Sequence, residues 1–120
     1  MNSGNQGGLV RLYKALIYSF RGISAAIRNE PAFRQEMFLS FILIPLGFWL
    51  GNTGVEKALL VSSIIFVMVI ELVNSGIEAV VDRFGGELHE LSGRAKDVGS
   101  AAVLLALVNV VVTWSLVLFV

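Results

Sequence analysis

The sequence predicts an all-α integral membrane protein: three transmembrane helices plus an N-terminal amphipathic surface helix, assembled as a helical-bundle oligomer. Three observations predict it. The chain is 56% hydrophobic and only 15% charged over 120 residues, with a mean hydropathy of +0.79, far more apolar than a soluble domain of that size. Three apolar runs, at about 32–55, 58–81 and 98–120, each approach the length needed to cross a bilayer. A chain this short would also need more than one copy to enclose a large site, so self-association is expected. The whole of residues 1–120 reads as one membrane-embedded domain.

Residues 1–8 are polar and Gly-rich and read as a frayed tail rather than a signal peptide. From Leu9 to Arg28, Leu9, Leu12, Tyr13, Leu16, Ile17, Phe20, Ile23 and Ile27 recur at spacings of three and four. Arg11, Lys14, Tyr18, Arg21 and Arg28 fall on the opposite side. This is an amphipathic helix with a basic face, suited to the headgroup layer or to packing on its own protein. Asn29-Glu30-Pro31 ends it and starts the next helix, because Pro is accepted in a first turn and disfavours helix in the residue before it.

Span one rests on the apolar run Met37–Leu50, which Gly51–Val55 extends toward twenty residues, with Pro45 expected to kink or loosen it. Gly51-Asn52-Thr53-Gly54 is a tight turn, and Glu56-Lys57 marks the water surface before span two. Asp82 to Asp97 carries seven charged residues and His89 among its sixteen, and reads as a surface segment. Span three follows, interrupted only by Ser100, Asn109, Thr113, Trp114 and Ser115.

Nine basic and nine acidic residues cancel, so net charge gives no reason to expect nucleic-acid binding. The absence of cysteine excludes disulfides and thiolate metal sites. Location is more informative than sum. Arg11, Lys14, Arg21, Arg28 and Arg34 precede span one, and Arg83, Arg94 and Lys96 follow span two, whereas Lys57 alone lies between them. The positive-inside rule places the first two groups in the cytoplasm, where nucleotides are available.

Span two carries the chemistry. At about 100° per residue, Glu71, Asn74, Glu78 and Asp82 fall within roughly 80° of one another on an otherwise apolar cylinder. Such a stripe turns toward a bundle interior or wet cavity, as a polar seam between helices or as a functional site. Glu30 and Glu78 both sit at the cytoplasmic surface, and two carboxylates with phosphate oxygens suit Mg²⁺; each can equally be a solvated helix-end charge. Glu71, deeper in the bilayer, is the candidate general base, since removal from water strengthens a carboxylate's hold on a proton. The segment Glu87–Asp97 offers Arg94 and Lys96 to a polyphosphate and Asp97 to a ribose or metal. Lone His89, with no second His or Cys, suits hydrogen bonding or stacking better than zinc. Neither a Walker A sequence nor the protein-kinase catalytic set is present.

Asn29-Glu30, Ala32–Glu36, Glu71–Asp82 and His89–Asp97 together resemble the small bacterial diacylglycerol kinases, and the resemblance runs from Arg11 through Trp114. It implies a homotrimer in the bacterial inner membrane, with three spans and a surface helix per subunit and active sites shared between neighbours. It implies MgATP as phosphate donor and diacylglycerol as acceptor, giving phosphatidic acid on the cytoplasmic side. By position it implies Glu71 as base with Asn74 beside it, Asp82 as a further sensitive acid, and Glu30 and Glu78 as metal ligands. Nucleotide contacts fall on Arg11, Tyr18, Glu30, Glu78, Glu87, His89, Lys96 and Asp97. Lipid-side positions fall on Arg34, Gln35, Glu36, Trp49, Glu71, Ser100 and Trp114. Pro31, Gly76 and Leu88 depart from the family pattern without touching the base or the metal ligands. Two other functions fit the same residues: phosphorylation of a polyprenol such as undecaprenol, and a non-enzymatic membrane protein whose carboxylates bind cations.

Overall fold

The computed structural model describes residues 7–85 and 89–120. Four helices follow in order: α1 (Gly8–Asn29), α2 (Pro31–Leu50), α3 (Gly54–Arg83) and α4 (Glu90–Phe119). The last three are long and apolar enough to cross a membrane. No strand occurs among the described residues.

Each connection has a local cause. Glu30 is extended (φ −121°, ψ 99°) between α1 and α2, as the following Pro31 requires. Arg34 secures the corner by donating through Nη1 to the carbonyls of Ile27 (2.9 Å) and Arg28 (3.1 Å), which satisfies otherwise open acceptors at the end of α1. Between α2 and α3, Thr53 caps the new helix by accepting from the Glu56 amide at 3.1 Å, while Glu56 Oε1 accepts from the Asn52 amide at 3.0 Å. This is close to a capping box. A Cβ on Gly51 would lie 2.8 Å from the Lys57 amide nitrogen, so the turn closes only around glycine. After α3, Gly85 takes φ +69°, a left-handed conformation suited to a residue that leaves a helix.

α3 is the central element. Leu60, Val61, Ser63, Ile64, Val67 and Glu71 form its buried stripe, with the three- and four-residue spacing of one helical face. α2 and α4 pack on it. α2 buries Phe33, Ser40 and Gly47, seven residues apart, and a Cβ on Gly47 would sit 3.2 Å from the Leu60 side chain, so small residues let the helices approach. α4 buries Gly99 and Ala106. The single chain is a slab, 47 × 43 × 22 Å, too thin to cover its apolar surface. Phe41, Leu105 and Val111 all remain more than 60% exposed, as side chains facing lipid or another protein surface would be. Of α1 only Ala26 is buried, and Leu9, Leu12, Leu16 and Phe20 are exposed on its apolar face.

The helix ends differ from the apolar runs. α2 stops at Leu50, not near residue 55, because Gly51 leaves the helix; its twenty residues are completed on the other side by Pro31–Glu36. α3 starts at Gly54, and α4 starts at Glu90, well before the apolar run at Val98. Charge marks the membrane surface but does not end a helix. At 30 residues each, α3 and α4 are about 45 Å long against a hydrocarbon core of about 30 Å. Part of the expected surface segment is therefore helix standing in water. α2 continues through Pro45.

Candidate active site

The polar stripe of α3 runs from the buried interior to the surface: Glu71 is buried, Asn74 and Glu78 half-buried, Asp82 exposed. Asn74 Nδ2 donates to Glu78 Oε1 at 3.0 Å, a bond between residues one helical turn apart. The Asn74 oxygen is buried without a hydrogen-bond partner, and it occupies the place where a Cβ on Gly99 would be. The bare backbone of α4 at Gly99 therefore gives Asn74 its room. A glycine inside a helical pattern usually has a packing reason, and that was the available sequence signal for Gly99.

Beyond Asp82 the stripe meets α4. Lys96 Nζ lies 2.7 Å from Asp82 Oδ1, both partly exposed. At the deep end, Glu36 of α2 and Glu71 of α3 are close enough to act on one another electrostatically across the α2–α3 contact. The Glu36 oxygen Oε2 is buried and unpartnered. Sequence placed Glu36 on the lipid side but gave no sign of this proximity, because the two residues belong to different helices.

Glu30 adds a second surface carboxylate. Its pKa is raised, first by partial burial and then by the charges of Glu78, Glu71 and Asp82. Glu30 thus shares one electrostatic field with the whole α3 stripe, and bringing it there concentrates negative charge that a cation would relieve. Among the described residues no group of three or more His, Asp or Glu side chains is placed to hold a metal. Glu30 and Glu78 nevertheless suit Mg²⁺, which accepts one or two carboxylates and takes its remaining ligands from phosphate and water. Asn74 occupies one Glu78 oxygen and leaves the other for such a role. Beside Glu30 a cleft of about 640 Å³ opens between α1 and α3, lined by Ser19, Asn29, Ser75 and Gly76 among others. Nothing lies within 4 Å of a Cβ built on Gly76, so close packing within this chain does not require glycine there.

Several expected site residues stand apart from this cluster or have structural work. His89 caps α4, its Nδ1 accepting from the Leu91 amide at 3.0 Å. Arg34 is engaged at the end of α1, while its neighbour Gln35 is exposed. Arg11 and Tyr18 lie toward the other end of α1 from Glu30, about 28 and 18 Å away along the axis, with Arg21 over the Tyr18 ring at 5.5 Å. Trp49 is at the far end of α2, about 20 Å along the axis from Glu36. Trp114 lies far along α4 from Lys96 and donates from Nε1 to Ser63 Oγ at 3.0 Å, tying α4 to α3 near the opposite membrane face. Asp97 and Ser100 are exposed beside Lys96 and Gly99. Glu87 lies outside the described residues.

Fold and site together define a multi-pass α-helical membrane protein in which a stripe of acidic groups runs along α3 to one end of the bundle and meets Lys96 there. The family model described as prokaryotic diacylglycerol kinase matches residues 17–118. The chain belongs to that family. It is 54% identical over 112 residues to a diacylglycerol kinase of Haemophilus influenzae, covering 93% of this chain and 95% of the relative. It is 49% identical over 117 residues to a diacylglycerol kinase of Escherichia coli, covering 98% and 96%. A diacylglycerol kinase of Pseudomonas aeruginosa is 46% identical over 113 residues, covering 94% and 92%.

Proposed function

We propose that this protein is a lipid kinase that transfers the γ-phosphoryl group of MgATP to the free hydroxyl of diacylglycerol, giving phosphatidic acid. The observation that carries the proposal is the graded line from buried Glu71 through Asn74 and Glu78 to the Asp82–Lys96 pair, in a chain 46–54% identical to three proteins named diacylglycerol kinase. A lipid hydroxyl and a water-soluble phosphate donor must meet at one boundary. The stripe spans that boundary.

In this reading Glu71 accepts the proton of the lipid hydroxyl as its oxygen bonds to the γ-phosphorus and the bond to ADP breaks. Glu36 faces Glu71 from across the bundle. Glu30 and Glu78 hold Mg²⁺, which when bound offsets charge on the phosphates. Asn74 fixes the Glu78 rotamer, and Lys96, steadied by Asp82, faces the polyphosphate. Phosphoryl transfer asks chiefly for such positioning and charge neutralisation. Arg11, Tyr18, Glu87, His89 and Asp97 complete the nucleotide side, and Gln35, Trp49, Ser100 and Trp114 line the path of the lipid, with Trp49 and Trp114 reaching acyl chains and not the reacting hydroxyl. The distance along α1 from Glu30 to Arg11 supports a site shared between subunits of a homotrimer, with the basic helix at the cytoplasmic face of a bacterial inner membrane.

The test is a side-by-side assay of diacylglycerol and undecaprenol in mixed micelles with labelled ATP, with and without Mg²⁺. Mg²⁺-dependent label in phosphatidic acid is expected, and a clear preference for undecaprenol would overturn the choice of acceptor.

A further inference from the structure

Glu30 alone separates α1 from α2. Its amide donates to the Ala26 carbonyl at 2.8 Å, and its carbonyl accepts from the Arg34 amide at 3.1 Å, so its backbone is tied to the last turn of one helix and the first turn of the next. Its side chain makes no capping bond to α2. Where the Glu30 carboxylate stands is therefore decided by the angle at which the two helices meet.

The two helices are held unequally. Phe33, in the first turn of α2, is fully buried and anchors that end of α2, whereas α1 buries only Ala26. Charge also works against the corner, because Glu78, Glu71 and Asp82 act electrostatically on Glu30 and like charges repel it until a cation arrives. Arg34 reaches from the anchored helix to the loose one. From four residues after Glu30 its Nη1 donates to the carbonyls of Ile27 and Arg28, three and two residues before it, so the clasp brackets Glu30. Its charge lies at the C-terminal end of α1, where the helix dipole favours a cation, and both bonds are of the stronger, charge-assisted kind.

We infer that Arg34 is a positioning residue for the metal site: by clasping the end of α1 it holds Glu30 against the repulsion of the α3 carboxylates, ready to share Mg²⁺ with Glu78. The inference deepens the metal role proposed above for Glu30 and rests on it. It gives Arg34 work other than the lipid contact that position in the chain implies, since its guanidinium is engaged on the α1 carbonyls. A partner that orients a ligand changes metal affinity without touching the metal. The ammonium of a lysine can also donate to two carbonyls, whereas the thioether of a methionine donates to none.

The experiment measures Mn²⁺ binding, by paramagnetic resonance, to the full chain in micelles with a non-hydrolysable ATP analogue, beside the Mg²⁺ and diacylglycerol dependence of turnover. Arg34→Met is expected to weaken Mn²⁺ binding and to raise the Mg²⁺ needed for half-maximal rate, each roughly 10- to 100-fold. KM for diacylglycerol should stay within about twofold, and Arg34→Lys within about threefold of wild type throughout. In a Glu30→Gln background Arg34→Met should cost nothing further, because it acts only through Glu30. Unchanged Mn²⁺ binding in Arg34→Met, or the same loss repeated on top of Glu30→Gln, would overturn the assignment. A raised KM for diacylglycerol with unaltered Mn²⁺ affinity would overturn it in favour of a lipid contact. A wild type that binds no Mn²⁺ would overturn it together with the metal role of Glu30. One that binds Mn²⁺ but leaves diacylglycerol untouched contradicts the lipid-kinase reading alone, and the Mn²⁺ comparison still decides for Arg34. Should Arg34→Met lose its helix content, Arg34→Gln, whose shorter amide reaches neither carbonyl, takes its place in the same measurements.

Discussion

The oxygen of the Asn74 carboxamide fills the space that a side chain on Gly99 would take, and this contact leaves the Asn74 nitrogen turned toward Glu78. Gly99→Ala must therefore push the amide aside, while the fold yields easily because only a side-chain tip has to move. Activity should fall roughly 10- to 100-fold, the usual effect of disturbing a group that orients a metal ligand, with thermal stability nearly unchanged. Steady-state kinetics at several Mg²⁺ concentrations beside a melting curve will check this; full activity in the variant would show that the contact does not matter.

Lys96 and Asp82 form a pair at 2.7 Å with both side chains accessible. Exposed ion pairs contribute below about 1 kcal/mol, so Asp82→Asn should barely change stability. Lys96→Met should lower kcat/KM for ATP by roughly 10²-fold or more, as loss of a charge-stabilising donor does. Equal losses in stability and activity would instead make the pair a structural clasp.

Glu30 provides the pH-dependent test. Its folded-state pKa lies above the ordinary glutamate value, through partial burial and the neighbouring carboxylates, so its ionised form is disfavoured in the fold. Without Mg²⁺ the penalty is absent below the ordinary glutamate range and fully present once pH exceeds the raised midpoint. Glu30→Gln should match wild-type stability in acid and exceed it at neutral pH, while binding Mg²⁺ more weakly. Denaturant titrations of both proteins across pH, repeated with Mg²⁺, will show whether added cation closes the gap.

Trp114 and Ser63 join α4 to α3 through a 3.0 Å hydrogen bond far from the carboxylates. A double-mutant cycle of Trp114→Phe and Ser63→Ala should give a coupling of about 0.5–1.5 kcal/mol in unfolding, with little change in KM for ATP. A coupling near zero would mean the bond contributes nothing to the pairing of the two helices.

What was legible in the sequence follows from what repeats along one helix. Span number came from apolar length, and the stripe Glu71–Asp82 from periodicity, since both are properties of a single segment. Helix ends were less legible: Asp82–Asp97 looks like a loop by charge, yet His89 caps a helix that begins eight residues before Val98. Contacts between helices were out of reach. The nearness of Glu36 to Glu71, the Arg34 clasp on α1 and the seat of Asn74 on Gly99 depend on how elements pack, which one sequence does not state.

The most direct measurement is ATP-dependent phosphorylation of diacylglycerol by purified protein in Mg²⁺-containing mixed micelles, comparing wild type with Glu71→Gln. The proposed function requires phosphatidic acid from wild type and a rate lower by a factor of about 10²–10⁴ in the variant, with helix content and assembly preserved. A well-folded Glu71→Gln protein that turns over like wild type would contradict Glu71 as the base, and a well-folded wild type that makes no phosphatidic acid would contradict the lipid-kinase reading itself.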